Sequence, residues 1–222
     1  MFGNKREDER PVPIVAWADA WEFVVSDEER PATERRRRAV LGRRAIRVPQ
    51  GGGLQRVNAP CAFFPCETLH KDGPHRLYED PEGERLLCSI DAADGRRRYG
   101  VRDPQGALVG SIHRVAPLKH ALRPTWRLGQ PGHPEIVSSA EWAKNGPSEM
   151  LQRGVGKLLL GVVQAISDAG AEGGDQPEKA RVTEWRKGSE LVMTSENDTR
   201  FLIRAAWLYR RLVLSHAVLR CS

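Results

Sequence analysis

Cysteines are few in this chain and long apolar runs are absent, and both shortages limit the class of protein. Four cysteines in 222 residues are too sparse for a disulfide-stapled fold. The most apolar stretch, residues 155–169, is interrupted by Lys157, Gln164 and Asp168, so it falls short of the roughly 18 apolar residues that span a bilayer. Residues 1–8 lack the apolar core of a secretory signal. We therefore expect a cytoplasmic protein with reduced thiols and no transmembrane segment.

Sequence motifs with a defined catalytic mechanism are also lacking. None of the six histidines belongs to a His-Glu-x-x-His helix, and no Gly-x-Ser-x-Gly turn occurs. His216 lies within an apolar stretch, where a polar contact in the core is expected. No catalytic residue and no cofactor are predicted. An enzyme whose site is assembled from residues distant in sequence is the alternative that this leaves open.

One group of residues could in principle bind a metal ion. Cys61, Cys66, His70 and His75 lie within fifteen residues and offer the thiolate and imidazole ligands that zinc accepts. Their spacing is not that of a structural zinc site, since the gap between the cysteines contains two phenylalanines. Partly buried cysteines and surface histidines are the preferred interpretation, and no metal ligand is predicted.

Positive charge is concentrated in one segment. Residues 30–47 contain eight arginines and one acid, whereas the whole chain has a formal net charge of +6. Guanidinium groups bind phosphate oxygens in pairs of hydrogen bonds and release counterions, so this segment is the candidate site for a polyanion. The predicted polyanion-binding residues are Arg35, Arg36, Arg37, Arg38, Arg43, Arg44 and Arg47.

The first fifty residues are predicted to form an arm separate from the main domain. Ile14, Trp17, Trp21 and either Val24 or Val25 recur at three- and four-residue spacing, which is typical of an amphipathic helix. The arginine segment follows as a flexible or helical stretch, and the run of glycines at 51–53 reads as a hinge. The predicted division is therefore an N-terminal arm, 1–53, and a domain, 54–222.

Two similar turns predict β-hairpins in the main domain. The segments 77–87 and 99–109 both contain Asp-Pro-x-Gly between apolar runs, at Asp80 and at Asp103. This tetrapeptide supplies a side-chain acceptor, a preset φ and a residue that tolerates positive φ. A third hairpin is predicted for 181–194 around Gly188, followed by a short strand at 201–203.

Two helices complete the predicted architecture. Residues 138–169 read as a helical insertion, and residues 205–219 form a helix that is apolar nearly all round and should therefore be buried. The fold class is α+β with mainly antiparallel strands, in which a barrel-like sheet surrounds the hydrophobic C-terminal helix.

Several of these segments resemble the tubby C-terminal-like superfamily, in particular its LURP-one and phospholipid scramblase-like branch. The resemblance rests on the hairpin 99–106, the following Gly110-Ser111-Ile112, the strand at Trp126 and the segment 207–212, and it covers roughly residues 60–220. It implies a closed antiparallel barrel with a hydrophobic helix through its centre. The superfamily's phosphoinositide-binding lysines and arginines and the scramblase calcium site have no evident counterparts here.

These observations favour a non-enzymatic binding or scaffold protein that engages anionic lipid or nucleic acid through the arginine segment. Bound to lipid, it would lie peripheral to the membrane. A nucleic-acid-binding regulator is a further alternative, although no helix-turn-helix or zinc-finger pattern is present.

Overall fold

Antiparallel β-strands make up most of the fold. The computed structural model describes residues 11–34, 36–65, 75–93, 97–116, 125–138 and 181–220. Within them, twelve strands form a closed barrel in which each strand pairs with its neighbours in the chain and the first pairs with the last. The strands are β1 Glu22–Arg30, β2 Val40–Gln50, β3 Val57–Phe63, β4 His75–Tyr78, β5 Leu86–Ala93, β6 Arg98–Arg102, β7 Leu108–Val115, β8 Thr125–Gly129, β9 Ile136–Ser138, β10 Val182–Lys187, β11 Glu190–Glu196 and β12 Arg200–Ile203.

Local turn chemistry explains the predicted hairpins, which the structure confirms. The carboxylate of Asp80 accepts hydrogen bonds from the amides of Glu84 and Arg85 in the β4–β5 turn. These amide bonds, the one from Glu84 above all, hold the pKa of Asp80 below its ordinary value. Asp103 plays the same part in the β6–β7 turn, and Gly106 there has a φ of +85°. The third hairpin, β10–β11, turns at Gly188 with a φ of +57°.

The helix α1, Arg210–Arg220, lies inside the barrel. Its residues from Leu212 to Leu219 are all buried, which means that no face of this part of the helix is exposed to solvent. Strands on different sides of the barrel contact this helix. Cys88 of β5 contacts Ser215, Gly110 of β7 lies against Leu212, and the ring of Trp185 of β10 packs on His216. The predicted fold class is therefore confirmed.

The helix begins five residues later than predicted, and Gln130 shows why. The Gln130 side chain accepts a hydrogen bond from the amide of Tyr209 and donates one to the carbonyl of Trp207. Ala205 still donates to the carbonyl of Val192, as a continuation of the sheet. Since these backbone groups bond outside the helix, residues 204–209 form the turn that leads the chain from β12 into the barrel.

The predicted N-terminal helix is wrong. Only residues Trp17–Asp19 form a short 3-10 helix, and β1 follows from Glu22. Phe23 and Val25 are buried on alternate positions, which is the period of a strand, and the Phe23 ring stacks on Phe201 of β12 at 5.0 Å. The same apolar residues satisfy helical and strand spacing, and the pairing with β12 decides between them.

The arginine segment is also not a separate arm. Its residues 40–47 belong to β2, which pairs with β1 on one side and β3 on the other. The predicted boundary near residue 53 coincides with the turn between β2 and β3, where Gly51 and Gly53 have positive φ. The predicted helical insertion lies outside the described residues, apart from Ser138 at the end of β9.

Gly110 lies where the barrel wall packs closely against α1. A Cβ atom at Gly110 would lie 2.5 Å from the carbonyl oxygen of Gly129 and 3.0 Å from a methyl of Leu212. Both atoms are in the packed interior or the backbone, so neither can move freely. At Gly100 of the neighbouring strand, a Cβ atom would meet only a methyl of Leu108 at 3.7 Å.

We expect Gly110→Ala to lower the free energy of unfolding by about 2 kcal/mol, because it overpacks the contact between β7 and α1. Gly100→Ala is the matched control and should change stability by less than about 0.5 kcal/mol. Urea unfolding of both variants measures the difference. Equal effects of the two substitutions would contradict this packing account.

Candidate functional site: the arginine hairpin

The hairpin formed by β1 and β2 is longer than the strands beside it. Residues 22–24 pair with β12 and residues 45–50 pair with β3. Beyond these, within the described residues, the outer part of each strand pairs only with the other strand, up to the pair Arg30 and Val40. Irregularities in the register between Ser26 and Arg30 bend this outer part.

Arg47 holds the bend in place. Its guanidinium donates hydrogen bonds to the backbone carbonyls of Ser26, Arg43 and Asn58, and it forms an ion pair with Glu29 at 3.2 Å. These partners come from β1, β2 and β3, and the Arg47 side chain is only 1% exposed. One buried guanidinium thus connects the outer hairpin to the barrel wall.

The outer hairpin lies against the wall instead of projecting into solvent. The amide of the Asn58 side chain on β3 donates to the carbonyl of Glu28, and the Arg43 guanidinium donates to the carbonyl of Pro81 in the β4–β5 turn. Residues 58–63 of β3 are buried at every position, on both faces of the strand. The segment before β1 contributes to this cover, since the amide of Val15 donates to Pro60. The outer parts of β1 and β2 therefore form a second layer over β3.

The structure divides the seven predicted polyanion-binding residues into four groups, of which the buried Arg47 is described separately below. Arg37, Arg38, Arg43 and Arg44 are exposed. Arg36 is half-buried, and its guanidinium donates to the carbonyl of Pro31. Arg35 lies outside the described residues.

Arg47 is a correction to the prediction. Its guanidinium is buried and already bonded to Glu29 and to three carbonyls, so it is not available to an external phosphate. The sequence offered one signal for this difference: Arg47 stands directly between Ile46 and Val48, whereas each of the other six predicted arginines is adjacent to another arginine.

Acidic residues and one apolar side chain complete the hairpin surface. Asp27, Glu28 and Glu29 lie on β1, where Arg30 is the one arginine, and the other described arginines of the segment lie on β2 and the loop before it. Leu41 is 63% exposed beside these arginines. The outer hairpin contains no aromatic residue.

Replacing Arg47 should release the outer hairpin. Arg47→Met leaves three backbone carbonyls and the Glu29 carboxylate without their partner, so we expect the free energy of unfolding to fall by about 3 kcal/mol. Trypsin should also cut faster at Arg43 and Arg44. Arg44→Met is the control, because it removes an exposed arginine and should leave stability nearly unchanged. Urea unfolding measures the stability, and timed proteolysis measures the rate of cleavage by trypsin. An unchanged cleavage rate in Arg47→Met would contradict the role of Arg47 in holding the outer hairpin against the barrel.

Aromatic rings and cations close the end of the barrel where α1 begins. The guanidinium of Arg210 lies 3.9 Å from the ring centre of Trp21, and that of Arg211 lies 4.5 Å from that of Trp17. Lys187 lies over Trp207 in the same way, at 4.5 Å. These cation–π contacts tie the segment before β1 to the start of the helix. Trp17 and Trp21 therefore serve mainly to pack this end, although Trp21 remains 44% exposed.

His216 is the most unusual polar residue in the interior. Its imidazole is fully buried, and neither ring nitrogen has a hydrogen-bond partner. The rings of Trp185, Trp126 and Phe201 surround it edge to face, with centroids at 4.6, 5.3 and 5.9 Å. The expected polar contact is thus replaced by aromatic contacts. Burial, reinforced by Arg220 one turn further along the helix, lowers the pKa of His216 to about 3.

This low pKa predicts that acid destabilises the barrel. The unfolded chain binds a proton at His216 below its ordinary pKa of 6.5, while the folded protein does not until about pH 3. His216 therefore does not lower the free energy of unfolding well above pH 6.5. Below that pH the free energy of unfolding declines, because the unfolded chain binds a proton that the folded protein does not. Between pH 7.5 and 5.5 the loss from this group should be about 1.4 kcal/mol.

Urea unfolding across this pH range tests the assignment to His216. His216→Leu should remove about 1.4 kcal/mol of the pH dependence, whereas the control His113→Gln, on the outer side of β7, should retain it. The assignment fails if the loss of stability with falling pH is the same in His216→Leu and in the unaltered chain.

Of the four residues considered as possible zinc ligands, the structure describes only two. Cys61 is buried in β3, and burial raises the pKa of its thiol to about 12, which disfavours the thiolate that binds zinc. His75 starts β4, while Cys66 and His70 lie outside the described residues. Among the residues described, no group of three or more His, Cys, Asp or Glu is arranged to hold a metal ion.

The outer wall has a depression of about 230 Å³ near the β8–β9 turn. His133 and Glu135 contribute to its lining, but His133 stacks on Trp207 at 4.3 Å and Glu135 pairs with Arg127 at 3.1 Å. Both side chains therefore have structural partners. This depression offers no activated acid and base pair.

Comparison of the chain with protein-family models, with curated proteins and with solved structures gives no match. The resemblance to the tubby-like superfamily stays a prediction. In the part of the chain that the structure describes, no helix is long and apolar enough to cross a bilayer.

Proposed function

We propose that the protein is a non-enzymatic binding module that attaches to an anionic lipid surface through the outer part of the β1–β2 hairpin. The observation that carries this proposal is the exposure of the guanidinium groups of Arg37, Arg38 and Arg44 on a hairpin that Arg47 holds against the barrel. An ordered site loses less conformational entropy on binding than a flexible arm.

The side chains next to these arginines favour lipid over nucleic acid. Leu41 is 63% exposed, and burying an exposed leucine among lipid headgroups is favourable. Single-stranded nucleic acid is bound largely by stacking on aromatic rings, and the outer hairpin has none. A nucleic-acid-binding regulator is the second candidate, since phosphate recognition by arginine is common to both. The alternative of an enzyme has no further support from the contacts described above.

Vesicle binding tests the proposal. We expect the protein to bind phosphatidylcholine vesicles that contain phosphatidylserine, and to bind less as salt rises from about 50 to about 200 mM. Arg37→Gln, Arg38→Gln and Arg44→Gln together should weaken binding about a hundredfold, because each arginine near an anionic surface contributes about 1 kcal/mol. Vesicle sedimentation or surface plasmon resonance measures the affinity.

A matched control variant removes the same number of positive charges from other parts of the surface. Arg56, Arg76 and Arg204 are also exposed but lie outside the hairpin, and their joint replacement by Gln should weaken binding far less. Duplex and single-stranded oligonucleotides form a second arm of the experiment. If they bind with the same dependence on Arg37, Arg38 and Arg44 while vesicles do not bind, nucleic acid replaces lipid as the partner. Equal effects of the two triple variants would overturn the hairpin site.

A further inference from the structure

Buried polar atoms without partners are concentrated at the end of the barrel where α1 finishes. In the described residues, six buried side-chain nitrogen or oxygen atoms have no hydrogen-bond partner. Five of the six belong to Thr125, Trp126, His216 and Arg220, and only the Arg210 Nε lies at the other end. Buried polar groups normally have partners, so their concentration at one end of the barrel calls for a chemical explanation.

Three of these side chains are in direct contact. The ring centres of Trp126 and His216 are 5.3 Å apart, and the guanidinium of Arg220 lies 5.5 Å from the ring centre of Trp126. A second guanidinium, that of Arg114, lies 5.8 Å from the same ring. Arg114 is exposed, so the cluster lies just inside the rim of the barrel.

The chemistry of the unpartnered atoms favours an acceptor. The Trp126 Nε1 and the Arg220 Nε can only donate hydrogen bonds, and the imidazole of His216 donates from one nitrogen. Arg220 is ion-paired with Asp198 through a different nitrogen, Nη2, so its Nε stays available. Two guanidinium groups beside a set of donors attract negative charge.

We infer that this end of the barrel binds a small oxyanion, the carboxylate or phosphate group of a low-molecular-weight ligand, between Trp126, His216 and Arg220. The ligand group is small because the side chains of α1 fill the rest of the interior. This site is separate from the arginine hairpin, and the inference does not rest on the proposed lipid binding.

Groups on every neighbouring element bear on this anion. On α1 the charged neighbour is Arg220, on β7 it is Arg114, and Asp198 lies in the β11–β12 turn. From β8, β10 and β12 only the rings of Trp126, Trp185 and Phe201 face His216. An anion placed here would stabilise the imidazolium form of His216, whereas the surroundings without it oppose that form.

The test uses sodium phosphate and sodium acetate as probes, titrated into the full chain against sodium chloride at constant ionic strength. Isothermal titration calorimetry should show one anion per protein. With nitrogen-15-labelled histidine, the His216 resonances should shift along the same saturation curve, and the pKa of His216 should rise. The phosphate and acetate arms then show which oxyanion the site prefers.

Two variants distinguish this site from other anion contacts. Trp126→Phe retains an aromatic ring and removes the five-membered part of the indole together with its N–H, so it should weaken binding about tenfold. Trp207→Phe, at the opposite end and with its indole N–H bonded to Glu190, is the matched control and should bind as the unaltered chain does. The joint replacement of Arg37, Arg38 and Arg44 should also leave this binding unchanged.

The inference is overturned if neither anion shifts the His216 resonances saturably in the unaltered chain. It is also overturned if Trp126→Phe and Trp207→Phe bind equally well, or if the affinity disappears with the hairpin arginines. The shift of the His216 resonances is measured on the unaltered chain, so this outcome does not depend on whether Trp126→Phe folds.

Discussion

The structure depends on the packing of α1 against the inner wall of the barrel. A helix that is apolar on every side has no stable place on a protein surface, and a barrel of twelve strands needs a filling for its interior. The barrel therefore removes the apolar helix from water, and the helix fills the interior of the barrel. Leu212 and Val213 are fully buried, and the burial of each such side chain stabilises the fold by about 2 kcal/mol. The close contact of Leu212 with Gly110 shows how little space remains between helix and wall.

The same packing explains why polar groups in the interior have consequences. Near the middle of α1, Ser215 and Cys88 contact each other at 3.3 Å, and burial raises the pKa of the Cys88 thiol to about 11. His216 has only aromatic neighbours, and nothing in its surroundings stabilises a charge. Ser215 thus has a polar partner, whereas the Trp126 Nε1, both ring nitrogens of His216 and the Arg220 Nε have none among the described residues.

Arg47 has a similar role outside the barrel. Without a buried guanidinium at the bend, the outer hairpin would pair only with itself, and a two-stranded hairpin is barely stable in water. With it, β3 is covered on both faces and the exposed arginines occupy defined positions. The chain therefore uses one arginine of the basic segment to order the others. Charge counting alone cannot separate these two roles, because both depend on burial.

The sequence by itself determined the features that arise from neighbouring residues. Asp80 and Asp103 form their turns with amides only a few residues away, and the all-apolar character of the last helix demands burial in any fold. Only the tertiary structure decided whether Phe23 and Val25 lie on a helix or a strand, because that choice depends on the pairing of β1 with β12, far along the chain. The start of α1, set by Gln130, and the burial of Arg47 were decided in the same way. Each rests on contacts between residues that the sequence separates and the fold brings together.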